Sequence, residues 1–197
     1  MSALEVRPLT PALWADFERL FSPNGAWGGC WCMYLRLPGR EFEPGCRGGG
    51  AANREAFRAV VDSGAEPGLL ACRDGEAVGW VAVAPREAYG RVLRSPIHKP
   101  VDDVTGVWSV SCFFVAKGER GQGVADALLV EAIRFATSKG ATVVEAYPID
   151  TDSASRPAGE VWRGTLAQFE RAGFEVVARR KPGRPIVRLL SPESAVE

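Results

Sequence analysis

The sequence has no surplus of charge: 24 Lys plus Arg balance 24 Asp plus Glu. A general nucleic-acid binder needs a basic excess, so the balance argues against nucleic acid as a partner, although not against a local basic patch. Long apolar runs are missing too. The longest, Ala77–Ala84, is eight residues, against the roughly 20 that a membrane helix requires. Met1–Pro8 carries no apolar signal core, so a cytoplasmic protein is expected. Nor is there an even cysteine framework. Five cysteines fit reduced thiols better than disulfide pairing. Histidine is limited to His98, and lysine to four of the 24 basic residues. The 20 arginines are scattered along the chain, which reads as compositional bias rather than a binding patch. What remains is globular composition, 46% hydrophobic and 24% charged over 197 residues. A chain of that length buries about 70% of its unfolded surface and folds without metal or disulfide. One domain is expected over 1–197, with its core at about 4–190.

Hydrophobic periodicity then sets an order of elements. Residues 4–7 read as a strand closed by Pro8. Thr10 and Pro11 suit the start of a helix to about Phe21, with Thr10 as N-cap. Residues 22–50 are rich in Gly and Pro around the island Cys30-Trp31-Cys32-Met33-Tyr34-Leu35, and predict a long loop with one short extended piece. Loops of that length are usually functional. A helix over 53–61 is expected with Asn53 as N-cap. Asp74-Gly75 between two β-prone runs predicts a hairpin. Residues 85–106 form a second long connection holding His98. A strand follows at 107–115, then the clearest helix, 124–139, with apolar residues from Ala125 to Ala136 at helical spacing and Gly140 as its stop. A strand at 142–147, a polar loop at 149–160, a short helix at 164–172 and strands at 174–178 and 186–190 complete a mixed α/β pattern with a central sheet.

The informative stretch is Val107 to Ala125: a strand, a turn holding Gly118, Gly121 and Gly123, and a helix start. Amides at a helix start lack partners, and the helix dipole places partial positive charge there. Glycines let a ligand approach the backbone. Together these form an anion site, most naturally for phosphate or pyrophosphate. The stretch is not a P-loop, and Gly121-x-Gly123 is followed by Asp126 where a dinucleotide fingerprint needs glycine.

Arg120-x-x-Gly123-x-Ala125 resembles the acetyl-CoA-binding signature of the GCN5-related N-acetyltransferases (GNAT). Val115 stands where that family commonly closes its fourth strand, and Phe169-Glu170-Arg171-Ala172-Gly173-Phe174 resembles its aromatic-x-x-x-Gly-Phe. The element order agrees from first strand to last. The resemblance implies a mostly antiparallel central sheet of six to seven strands with flanking helices. It implies direct transfer of an acyl group, most naturally acetyl from acetyl-CoA, to a primary amine on a small molecule or peptide. Backbone amides of Gly121, Gln122, Gly123, Val124 and Ala125, with Arg120, would hold the CoA pyrophosphate. The backbone of Phe113, Phe114 and Val115 would pair with the pantetheine arm, and an N–H there would polarise the thioester carbonyl. Two positions depart from the family: Phe169 stands where a tyrosine often protonates the leaving thiolate, and Trp162 where an asparagine often contacts CoA. The alternative function, a non-catalytic acyl-CoA sensor or interaction domain, rests on Phe169.

Tyr147 is therefore a substitute acid, or a core residue. Glu145 is the candidate base, or an ion-paired strand residue, and Asp102, Asp103, Asp150 and Asp152 lie on loops that could border the cleft. Cys30 and Cys32, two apart in an extended segment, would face one side. They read as a buried plug, as a wall of the acceptor pocket, or as a metal site with Cys46 or His98. The spacing suits zinc poorly, so no metal is expected. Cys112 reads as core, since the lone histidine lies far off in sequence. Arg179, Arg180, Lys181, Arg184 and Arg188 predict a basic hairpin, either solvated or facing an acidic substrate. A homodimer is a fair default that no residue pattern specifies.

Overall fold

A computed structural model describes residues 3–22, 25–153 and 158–190. Their elements run β1 (Glu5–Pro8), α1 (Trp14–Phe21), α2 (Gly39–Gly45), α3 (Ala51–Asp62), β2 (Gly68–Arg73), β3 (Glu76–Pro85), α4 (Gly90–Arg94), β4 (Val107–Val115), α5 (Val124–Ser138), β5 (Val143–Ala146), α6 (Leu166–Arg171), β6 (Glu175–Ala178) and β7 (Ile186–Leu190). The strands form one sheet in the order β1-β2-β3-β4-β5-β7-β6. Every neighbouring pair is antiparallel except β4 and β5.

Side chains alternate across a strand, and β2 and β3 divide the core accordingly. Leu69, Ala71, Val81 and Val83 face α5, whose Leu128, Leu129, Ala132 and Ala136 are buried against them. Leu70, Trp80 and Ala82 face the other way, onto Phe17 and Phe21 of α1 and Phe57 and Val61 of α3. Each fully buried large side chain contributes about 1.5–3 kcal/mol, so the sheet is clamped from both sides. Gly79 sets how closely α5 approaches. A Cβ there would stand 2.7 Å from Val124 Cγ1 and 3.1 Å from Leu128 Cδ1, so a side chain on β3 would lift the start of α5 off the sheet.

The Gly/Pro-rich excursion over 22–50 is not the expected loop with an extended piece. It holds a short helix, α2, and its cysteine island is a tight turn: Trp31 and Cys32 have φ of 44° and 56°. Left-handed backbone costs roughly 1–2 kcal/mol for a residue with a side chain. Side-chain bonds hold it in place. Trp31 Nε1 donates to the Gly49 carbonyl at 3.2 Å, and the buried Trp80 Nε1 donates to Cys32 Sγ at 3.0 Å. Asn53 is not an N-cap. It lies inside α3, and its buried amide donates to the Gly29 carbonyl at 2.9 Å, tying the excursion to the helix. Thr10 makes no side-chain cap bond either. The second connection, 85–106, also carries a short helix, α4.

The C-terminal arginines correct the expected solvated hairpin. Arg188 is buried and bidentate to Asp102, at 2.6 and 3.0 Å, while its Nε donates to Glu145 at 2.7 Å. Arg179 binds Asp150, and Arg180 binds the carbonyls of Ile97, Lys99 and Pro100. These charges fasten β6, β7 and their connection to the loops beside them.

Candidate active site

Strand β4 pairs with β5 only over Val107–Val110 and Val143–Ala146. Beyond that point β4 keeps its partner β3 as far as Val115 but, among the described residues, has no strand partner on its other edge. The backbone groups of 111–115 on that edge are open to an added strand-like ligand. The register against β3 also slips: Ala82 faces Cys112 and Val83 faces Val110, leaving Ser111 as a bulge. Bulges re-aim neighbouring side chains, often beside active sites. Here the slip falls where the strands part.

Two cavities flank this free edge. The smaller, about 390 Å³, is lined by residues of the stretch Val115 to Asp126, including Glu119, Arg120, Gly121 and Gly123, with Thr165, Gln168 and Arg171 opposite. Gly121 and Gly123 have φ of 76° and 77°. The left-handed Gly123 precedes α5 with no side-chain cap, so the first amides of α5 face the cavity rather than a serine or aspartate oxygen. A Cβ at Gly123 would meet nothing within 4 Å; the glycine is there for its backbone and leaves open space above it. Arg120 Nε donates to the Val115 carbonyl at 3.1 Å and Gln122 Nε2 to the Gly118 carbonyl at 2.8 Å. Both side chains brace the turn, and Gln122 does not line the cavity. A pre-formed row of amides suits a diphosphate, with Arg120 and Arg171 on the rim beside Glu119 and Asp126.

The larger cavity, about 530 Å³, lies at the other end of the same edge. Cys112, Phe113 and Phe114 of β4 line it, with Cys30, Cys32, Tyr34, Phe42 and Cys46 from the excursion, and Trp162, Arg163 and Arg184 from the C-terminal third. Within the tight turn Trp31 and Met33 point into the core, as does Leu35 just beyond it, while Cys30, Cys32 and Tyr34 face the cavity. The island is thus both plug and wall. Burial, with Cys32 beside it, pushes the Cys30 thiol up to about 12. A hydrogen bond with Cys32, and burial, raise Cys112 well above its ordinary value. These thiols stay protonated and act as a soft, weakly polar wall.

Arg163 was not singled out in the sequence. It is buried, its guanidinium lies 4.6 Å from the Trp162 ring centroid, and its Nη1 meets His98 Nε2 at 3.2 Å. Burial, together with Arg163 and other arginines, lowers His98 to about 3. The imidazole is therefore neutral at physiological pH, and its Nε2 accepts from Arg163. Among the described residues no group of three or more His, Cys, Asp or Glu is placed to hold a metal ion.

Glu145 and Tyr147, the expected base and acid, are brought together but away from both cavities. Glu145 is fully buried, accepts from Arg188, and lies 3.8 Å from Arg86. Tyr147 donates to Glu145 at 2.7 Å and meets Ser109 Oγ at 3.0 Å. Burial and the Glu145 charge raise Tyr147 well above its ordinary value. Neither lines either of these two cavities. The carboxylate is engaged by arginine and phenol, so this cluster is a buried strut between β4, β5 and β7, and the reason is geometric rather than chemical. Phe169, at the expected acid position, packs edge-on against Phe113 and Phe174. Trp162 is wall. Tyr34, from the apolar island, and Arg184, from the expected basic hairpin, both reach the larger cavity.

The sequence model described as the Acetyltransferase (GNAT) family matches residues 34–163. No curated protein matches the chain by sequence. Solved structures share the fold at low identity. The PaiA N-acetyltransferase of Thermoplasma acidophilum, in complex with coenzyme A, is 12% identical, with a TM-score of 0.56 over 96% of this chain and 99% of that one. The diaminobutyrate acetyltransferase of Paenibacillus lautus, in complex with L-2,4-diaminobutyric acid and coenzyme A, is 13% identical with a TM-score of 0.52 over 96% of each chain. The ribosomal-protein-alanine N-acetyltransferase of Brucella melitensis is 18% identical with a TM-score of 0.54, over 95% of this chain and 99% of that one.

Proposed function

Because the chain belongs to the Acetyltransferase (GNAT) family, we propose that it transfers an acetyl group from acetyl-CoA directly to a primary amine. The observation that carries this reading is the single free edge of β4 with a glycine-lined amide cradle at one end and a roomy cavity at the other. Acetyl-CoA, when bound, supplies the activated acetyl as a thioester. Backbone amides of Gly121 to Ala125 hold its diphosphate, and Arg120 braces that turn against the end of β4. The edge of β4 from Phe113 to Val115 pairs with the pantetheine arm, and an N–H of that edge polarises the carbonyl under attack. The amine enters from the larger cavity and meets the carbonyl beside Cys112 and Phe113. Most of the rate comes from holding the two reactants together.

Two guanidiniums, Arg163 and Arg184, border the cavity that receives the amine. Nearby positive charge disfavours an ammonium ion, so the amine is held in its free, nucleophilic form, and a dedicated carboxylate base is not required. Tyr34 is the phenol that lines this cavity and replaces Tyr147 as the candidate proton donor to the departing thiolate. The alternative, a CoA-binding sensor, draws on Phe169 alone and gives the larger cavity no role. A thiol-release assay with acetyl-CoA and an amine panel decides between them. Transfer is expected to at least one amine. Acetyl-CoA binding without turnover on any of them would favour the sensor. Among the described residues no helix is long and apolar enough to cross a membrane. A cytoplasmic location and a homodimer stay part of this proposal.

A further inference from the structure

The lining of the larger cavity is lopsided in charge. Its broad surfaces are rings, Phe21, Phe42 and Trp162 among them, and its charged groups are Arg163 and Arg184; no Asp or Glu lines it among the described residues. A polyamine or an aminoglycoside would bring several ammonium groups to a cavity where Arg163 repels them and no carboxylate among the described lining residues receives them. Arg163 supplies a second observation. Only 6% of it is exposed, its Nε has no hydrogen-bond partner, and its Nη1 rests on a neutral imidazole. Among the described residues no carboxylate pairs with it. A buried guanidinium without an anion is costly, and an anionic ligand in the cavity would supply what the described residues do not. The planar fork suits a carboxylate in particular.

On the strength of the acyltransferase reading, we propose that the acceptor is an amino-acid-like molecule: a primary amine that also carries a carboxylate beside an apolar or aromatic body, with Arg163 holding the carboxylate. His98 is then a positioning residue. Ser95 Oγ stands 3.4 Å from its Nδ1 and accepts the amides of Ile97 and His98, which fixes the imidazole that supports Arg163. The rings take the body of the acceptor, and charge-assisted bonds to Arg163 give its orientation.

The test needs no turnover. Calorimetry compares 3-phenylpropionate with its neutral amide, 3-phenylpropionamide, on the wild-type protein. The acid is expected to bind about 10- to 100-fold more tightly. Arg163→Met should abolish that preference and Arg163→Lys should restore part of it, while the thermal shift given by acetyl-CoA is unchanged in both. Transfer assays should rank L-phenylalanine above phenethylamine and spermidine. Equal binding of acid and amide, a preference kept by Arg163→Met, or faster transfer to spermidine would overturn the proposal. Should Arg163→Met fail to fold, the wild-type acid and amide comparison decides alone. Absence of any acetyl-CoA shift in the wild type would instead strike the acyltransferase reading, and the acid and amide comparison would still be read independently.

Discussion

The two ends of the β4 edge are built in opposite ways. The cradle at 120–125 is made of backbone. Its shape follows from two left-handed glycines and an uncapped helix start, all within six consecutive residues. The larger cavity is made of side chains. Its walls come from α1, the excursion over 25–46, β4, the segment before α6 and the connection before β7. On the proposed function, a site that reads a diphosphate shared by every reaction can be local and rigid. A site that reads one acceptor needs chemistry gathered from distant segments, and loops are where such chemistry can vary without disturbing the sheet. Left-handed residues with side chains gather at the side-chain-built end: Ala26, Trp31 and Cys32 lie in the excursion, with Asp74 alone in the β2–β3 turn among the described residues, and hydrogen bonds hold Trp31 and Cys32.

Substitutions at four positions separate these ends from each other and from the scaffold between them. The largest effect belongs to the scaffold. Glu145→Ala leaves Arg188 and Arg86 without their buried carboxylate and should cost about 3–5 kcal/mol, lowering the melting midpoint by roughly 10 °C. Glu145→Gln should fold with measurable transfer activity. If the folded glutamine variant were instead inert with normal acetyl-CoA binding, Glu145 would be the base after all. Next is Gly123→Glu, which adds both left-handed strain and a repelling charge to the cradle. Acetyl-CoA at 100 times its Kd should stabilise the wild type by about 2.7 kcal/mol, or roughly 5–10 °C, and the variant not at all. A retained shift would move the diphosphate elsewhere.

Smaller is Trp162→Ala at the side-chain-built end. It removes the ring that Arg163 stacks on and should raise the acceptor KM about 10-fold with the acetyl-CoA shift intact. A lost shift would show that the two cavities are one site. The smallest effect is a pH slope. His98 titrates near 6.5 in the unfolded chain and at about 3 when folded. Between those values the unfolded state binds the extra proton, so stability present above pH 6.5 is lost as the pH falls, by up to about 1.4 kcal/mol per unit. His98→Asn should flatten the fall in melting midpoint between pH 6.5 and 5. An unchanged slope would mean that the imidazole is not held neutral beneath Arg163.

The pattern of what was legible follows contact distance. The β2–β3 hairpin, α5 and the turn before it depend on neighbours within a few residues, and periodicity, Asp74-Gly75 and Gly140 located them. Asn53 and Thr10 were misread because cap chemistry is short-range, whereas Asn53 serves a carbonyl 24 residues away. Glu145 and Tyr147 lay two apart on the right strand, and only the arrival of Arg188, 43 residues later, turned them into a strut. Trp31 and Cys32 read as extended because nothing local announces a left-handed turn in residues with side chains.

The sequence by itself determined the alternation that gives the sheet two covered faces, the helix that lies over β3, and the amide cradle at Gly121–Ala125, because each is fixed by backbone preferences and spacing within one stretch. The tertiary structure alone decided where β4 and β5 part, that Arg163 is buried on a neutral His98, and that aromatic rings and arginines share one cavity. Those outcomes depend on which distant segments pack together, and burial, not spacing, sets the charge and partner of each group.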